Sequence, residues 1–272
     1  MSYAAVMVHV DAERNCDQRV RLAAGVANRF RSALIGVAGW SLQPAFALDD
    51  PDNVEGGDHE RQLMVAALAE AGKTFRNGAK QATSVEWRGV LEYVADLVPR
   101  EARAADLIVI GREHVRGDSF YSLDPGVMIL RAGRPVLVVP KTLDLLGADR
   151  IVVAWRDTRE ARRAVRDALP FLRRAKKVIV AEIGETGINP ARQTQADDVA
   201  EYLRRHTVVA TANVYPRGKE AVASELVRIA KGENAYLIVA GAYGHNRLGE
   251  WIFGGVTRDL LSASPLCCMF SH

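Results

Sequence analysis

Short apolar runs recur along the chain, separated by amphipathic stretches. Residues 6–10, 34–37, 107–110 and 136–139 are apolar and rich in β-branched side chains, and so are 151–155, 178–183, 208–214, 237–240 and 266–270. Runs of this length predict strands covered on both faces of a parallel sheet. The intervening segments carry helical periodicity. The clearest puts Ala161, Ala164, Val165, Ala168 and Leu172 on one stripe, with Arg159, Arg162, Arg163, Arg166 and Arg173 elsewhere on the helix. Asp157 followed by Glu160 predicts a capping box at its start, and Pro170 predicts a weakened last turn.

The pattern repeats. Residues 106–111 read DLIVIG and residues 236–241 read YLIVAG. Gly111 matches Gly241 and Pro135 matches Pro265, both at an offset of 130. The copies begin at an offset near 145, where AVMVHVDA from Ala5 resembles RIVVAWRD from Arg150. The first copy therefore carries about fifteen additional residues, expected around the acidic stretch 49–60. Strand–helix alternation in each copy predicts two α/β domains, residues 1–144 and 149–272, each a doubly wound parallel sheet. The linker 141–149 is short enough to predict that the copies pack together.

Glycine density marks one segment. After the strand at 237–240 come Gly241, Gly244, Gly254 and Gly255, with Val256 and Thr257 opening a predicted helix that runs to about Leu261. Glycine permits close backbone approach, and a helix N-terminus presents free amides and a positive dipole end, so this segment is a candidate anion cradle. Arg247 and His245 face the loop in sequence. The same glycines also suit a plain strand-to-helix turn. In the first copy the equivalents of Gly244, Gly254, Gly255 and Thr257 are His114, Asp124, Pro125 and Val127. An aspartate stands where an anion would bind and a proline removes an amide donor, so the first copy is expected not to hold phosphate this way.

With its spacing Gly-x2-Gly-x9-Gly at Gly241, Gly244 and Gly254, inside a tandem α/β repeat, the chain resembles the universal stress protein family, bacterial two-domain type. The resemblance implies two Rossmann-like domains of five parallel strands forming a pseudo-dimer, with further homodimerisation open. It implies ATP or another adenine nucleotide in the second cleft, phosphates on Gly241, Gly244, Gly254, Gly255 and Val256, and Mg2+ only as the companion of bound ATP. Thr257 and Arg247 are candidate further contacts. Two positions depart from the family pattern. Gly255 replaces Ser or Thr, and Arg156 stands where nucleotide-binding relatives usually carry Asp. An arginine can pair with phosphate or stack on a base but cannot accept from ribose.

Composition sets outer limits. A net charge of +3 over 272 residues gives no reason to expect nucleic acid as a partner. The halves differ: residues 1–144 hold 17 Lys+Arg against 19 Asp+Glu, and residues 145–272 hold 19 against 14. The basic second half suits an anionic small ligand, or equally a solvated arginine-rich helix face. No apolar run reaches membrane-spanning length, and the N-terminal segment reads as a strand, not a signal peptide. Cys16, Cys267 and Cys268 form no disulfide framework, and a reducing cytoplasmic location is expected.

Trp155 reads as core or cleft wall, and Trp251 and Phe253 as packing. No catalytic set or metal-ligand spacing emerges, so the expectation is a nucleotide-binding, non-enzymatic stress-response or sensing protein. Slow ATP hydrolysis would need an acid near the phosphates, and Glu250 is the nominee. The alternative is an interaction module with an unidentified protein partner, whose clefts are empty or hold another small ligand.

Overall fold

The computed structural model describes residues 2–11, 16–40, 54–112, 123–184, 190–244 and 255–272. Arg247, Gly254, His114, His245, Glu250, Trp251 and Phe253 lie outside the described residues.

The chain divides into two compact units. One comprises Tyr3–Ala132 with Lys141–Leu145; the other comprises Gly133–Pro140 and Leu146–His272, with Met1–Ser2. In the first unit, strands β1 (Ala5–His9), β2 (Ala33–Gly39), β3 (Val85–Val90) and β4 (Leu107–Gly111) form a parallel sheet in the order β3-β2-β1-β4. Helices α1 (Asp17–Phe30), α2 (Val54–Gly78) and α3 (Val94–Glu101) connect them, and α4 (Pro125–Arg131) follows β4.

The second unit repeats the plan. Its strands are β5 (Val136–Val139), β6 (Arg150–Trp155), β7 (Lys177–Gly184), β8 (Ala210–Pro216), β9 (Leu237–Gly241) and β10 (Cys267–Ser271). Its helices are α5 (Arg159–Leu172), α6 (Pro190–Arg205), α7 (Val222–Gly232) and α8 (Gly255–Ala263). The order is β5-β10-β9-β6-β7-β8, parallel except for β5. Each half of the sequence supplies five strands. The fifth strand of the first half, however, pairs antiparallel with β10, Leu137 opposite Met269, and so covers an edge that would otherwise expose a ladder of unpaired amides.

Most apolar runs lie where the sequence places them, because each is buried on both faces. Val152, Val153, Ile238 and Val239 are at most 1% exposed. Strand β3, VEWRGV, is the one with no apolar run to announce it; its side chains are exposed or half-buried, as an edge strand allows. The additional length of the first copy falls partly into α2, whose 25 residues compare with 16 in α6. The first part of the expected stretch, residues 49–53, lies outside the described residues.

On α5 the apolar stripe is buried and Arg159, Arg162, Arg163 and Arg166 are exposed, as is Arg173 at the C-cap. The helix continues through Pro170 to Leu172. Its cap differs from the sequence expectation by one residue: Thr158 is the N-cap, its Oγ1 accepting from the Ala161 amide at 3.2 Å, while Asp157 pairs with Arg162 at 3.3 Å. A threonine in extended conformation fulfils the cap directly and leaves Asp157 outside the helix.

Cys267 and Cys268 are packed inside β10, and Cys16 is buried ahead of α1; among the described residues none of the three forms a disulfide. Among the described residues no helix is long and apolar enough to cross a membrane, and no group of three His, Cys, Asp or Glu side chains could hold a metal ion.

Candidate functional site

In the second unit β6 stands between β9 and β7, so the winding direction reverses beside it. Ligand clefts of open α/β sheets form beyond the carboxyl ends of the strands at such a reversal. A cleft of about 260 Å³ lies there.

Its floor depends on glycine. At Gly241, the last residue of β9, a Cβ atom would run into the Ala161 amide nitrogen and stand 2.6 Å from the Glu160 carbonyl carbon. The N-terminus of α5 therefore rests directly on the end of β9, which only glycine allows. Tyr243 then adopts a left-handed conformation (φ 61°) and returns the chain over α5. At Gly244 a Cβ would lie 2.7 Å from Glu160 Oε2 and 3.1 Å from Thr158 Oγ1.

The start of α5 carries its own anion. Glu160 is 6% exposed and accepts from Arg159 Nε at 3.0 Å. Burial pushes its carboxyl up, but its own backbone amide and Arg159 outweigh that and hold it below the usual carboxylate range. The start of α8 is different. Among the described residues, a Cβ at Gly255 would meet nothing within 4 Å, Val256 is partly exposed, and Thr257 is only 5% exposed. All three line the cleft, as do Gly241, Gly244 and Arg156. The six described residues singled out from the sequence are thus brought to one place.

Three further charged groups line it that sequence reading missed. Glu182, near the end of β7, is 5% exposed. Its Oε1 lies 3.5 Å from Arg192 Nη1 on α6. Burial raises the Glu182 carboxyl above its usual range, with Arg192 and Arg156 pulling it back only partly. Arg217 follows β8. A lone acid inside the otherwise apolar run at residues 178–183 was the available signal for Glu182. Arg192 and Arg217 gave none, because they reach the cleft from elements remote in sequence.

The same ground in the first unit is filled by its own side chains. Asp124 is the N-cap of α4, and its Oδ1 accepts from the Val127 amide at 2.9 Å. Gly111, the counterpart of Gly241, faces the Arg19 guanidinium, which occupies the place a Cβ would take. Arg19 is ion-paired with Asp11, the counterpart of Arg156. His9, 2% exposed, lies with its Nδ1 3.7 Å from Asp11. Burial, reinforced by Arg19 and opposed by Asp11, lowers its pKa to about 4.

No protein-family model matches the sequence, and no curated protein is similar to it at a significant level. Solved structures are similar. A universal stress protein from Archaeoglobus fulgidus DSM 4304 matches with a TM-score of 0.71 at 13% identity, over 98% of each chain. A functionally unknown protein from Pseudomonas aeruginosa PAO1 matches at 0.61 and 13% identity, over 98% of this chain and 92% of the other. A universal stress protein solved in complex with cAMP covers 52% of this chain at 21% identity, with a TM-score of 0.37. The full-length likenesses agree with the family resemblance carried by Gly241, Gly244 and Gly254: the chain has the fold of a two-domain universal stress protein.

Proposed function

We propose that the chain is a cytoplasmic stress-response or sensing module that binds an adenine nucleotide in the cleft of its second unit. The observation that carries this reading is the meeting of Arg156, Arg192 and Arg217 with the N-terminal residues of α8, Gly255 to Thr257, in one cleft. Phosphates would lie against the Gly255, Val256 and Thr257 amides, with Arg156 and Arg217 as cationic partners and the Thr257 hydroxyl as a further donor. A helix terminus stabilises an anion by about 0.3–2 kcal/mol, whereas micromolar affinity needs about 8 kcal/mol. The arginines and the buried end of the cleft must supply the difference. Mg2+ would enter only with a bound polyphosphate. The role is binding, not turnover, and no catalytic residue is assigned.

A second reading, an interaction module with empty clefts, is favoured by the first unit, where Asp124 and Arg19 fill the corresponding ground. Mass spectrometry of small molecules released from the purified chain, followed by titration with ATP, ADP, AMP and cAMP, separates the two. Adenine nucleotide bound near one equivalent, and lost in Gly244→Val and Arg217→Ala, supports the first. An empty protein that binds none of the four overturns it.

A further inference from the structure

Strand β3 lies at the edge of the first unit's sheet, and its ladder with β2 fixes which backbone groups face outward. The Leu34 amide donates to the Ser84 carbonyl and the Trp40 amide to the Val90 carbonyl, with Leu34 opposite Val85 in parallel register. A parallel ladder bonds alternate residues of each strand. Glu86, Arg88 and Val90 therefore turn their amides and carbonyls toward β2. Val85, Trp87 and Gly89 turn theirs away, and among the described residues no strand pairs with them. The free edge of the second unit, β8, is treated differently. The Val178 amide donates to the Val209 carbonyl, so Ala210, Ala212, Val214 and Pro216 face outward. There Arg204 Nη1 donates to the Ala210 carbonyl at 3.1 Å, and Pro216 has no amide to offer. Prolines and charged side chains laid along an edge blunt it. Strand β3, VEWRGV, has no proline, and its two charges are of opposite sign.

We propose that β3 pairs with β3 of a second copy of the chain, antiparallel about a two-fold axis at Trp87. A two-fold axis makes both copies use the same edge and runs the two strands in opposite directions. Outward-facing residues must meet outward-facing residues, which leaves three central registers. One puts Glu86 opposite Glu86 and another puts Arg88 opposite Arg88, and like charges directly opposite destabilise a pair. The third puts Trp87 opposite Trp87, Val85 opposite Gly89, and Glu86 opposite Arg88 twice. Within one chain Arg88 Nε already donates to Glu86 Oε1 at 2.7 Å, so the four side chains would close a square of alternating sign. Val85, exposed in the single chain, would cover Gly89 beside the Trp87 indole, whose Nε1 lies 3.0 Å from the place of a Cβ at Gly89. Phe75 holds that indole from behind, with ring centroids 5.4 Å apart. The pairing is independent of any ligand in the second unit.

Strand β3 offers six residues, short of the roughly 1,600 Å² of a standard interface, so the association is reversible and concentration-dependent. Sedimentation velocity of the full chain should show monomer passing to dimer as concentration rises. Amide exchange followed by NMR on the wild type locates the contact. The Val85, Trp87 and Gly89 amides should slow at high concentration, while those of Ala212 and Val214 on β8 stay unchanged. Glu86→Lys, at an exposed side chain, turns both attractive crossings repulsive and should weaken the dimer by roughly tenfold or more. Arg88→Glu should do the same. A one-to-one mixture of the two variants, each verified as folded by its thermal melt, should recover the dimer, because every crossing again joins opposite charges. A wild type still monomeric at about 1 mM overturns the pairing. So does a dimer whose Trp87 amide exchanges as in the monomer, a dimer indifferent to Glu86→Lys, or a mixture of folded variants that stays monomeric.

Discussion

The Asp124 carboxylate accepts a hydrogen bond from the Val127 amide at 2.9 Å, so helix α4 carries its own anion at the terminus where, among the described residues, no atom crowds the Cβ position of Gly255 on α8. The two halves share a fold but have divided the use of one helix terminus, one satisfying it internally and the other leaving it to face a cleft. An N-cap carboxylate contributes about 1 kcal/mol. Asp124→Ala should therefore lower the stability of the chain by about that amount in urea denaturation. An unchanged midpoint would show that Asp124 is not holding the terminus.

Gly241 and Gly255 are both loop glycines with opposite tolerances. Gly241→Ala forces a methyl group into the backbone of α5, which cannot rotate aside as a flexible side chain could. It should cost about 1–3 kcal/mol, as other overpacking changes do. Gly255→Ala meets no atom of the described residues within 4 Å and should stay within about 0.5 kcal/mol of the wild type. Thermal melts of the pair decide it, and equal losses would refute the close packing of α5 on β9.

Restoring a hydroxyl at the α8 terminus should help an anion. Gly255→Ser adds a donor where no atom of the described residues is displaced. A neutral hydrogen bond is worth about 0.5–1.5 kcal/mol, so tripolyphosphate affinity should rise by roughly threefold to tenfold. A titration with no gain would move the phosphate site away from Gly255.

Acid should weaken the first unit through His9. Its folded pKa, about 4, is depressed below the unfolded value of 6.5, so the folded state holds the neutral ring. The stability this gives is present above pH 6.5 and is lost as pH falls toward 4, with about 2 kcal/mol gone by pH 5. His9→Leu should flatten that part of the pH profile in denaturant titrations between pH 7 and 5. A profile that keeps its slope in the variant would place the titrating group elsewhere.

Glu182 has the opposite sign. Burial raises its folded carboxyl pKa above the unfolded value, so the fold favours the protonated form, and stability is lost as pH rises through that range. Glu182→Gln removes the buried charge and should raise the thermal midpoint at pH 7 more than at pH 4. A lower midpoint at pH 7 would mean that the Arg192 pair outweighs the desolvation.

The sequence by itself determined the elements and their repetition. Strands such as β6 and β9 were legible because burial on both faces demands an unbroken apolar run, and α5 because its stripe follows the helical period. The glycine offsets located the floor of the cleft, since the contact of α5 with Gly241 admits no side chain. What only the tertiary structure decided depends on pairing between distant segments. Nothing local to Val136–Val139 says that it lies antiparallel to β10, and β3 is an edge strand too exposed to leave an apolar signature. Likewise Trp155 and Glu182 stand 27 residues apart in sequence and become neighbours through the β6–β7 register. Periodicity reports how a segment meets its surroundings; it does not report which segment supplies them.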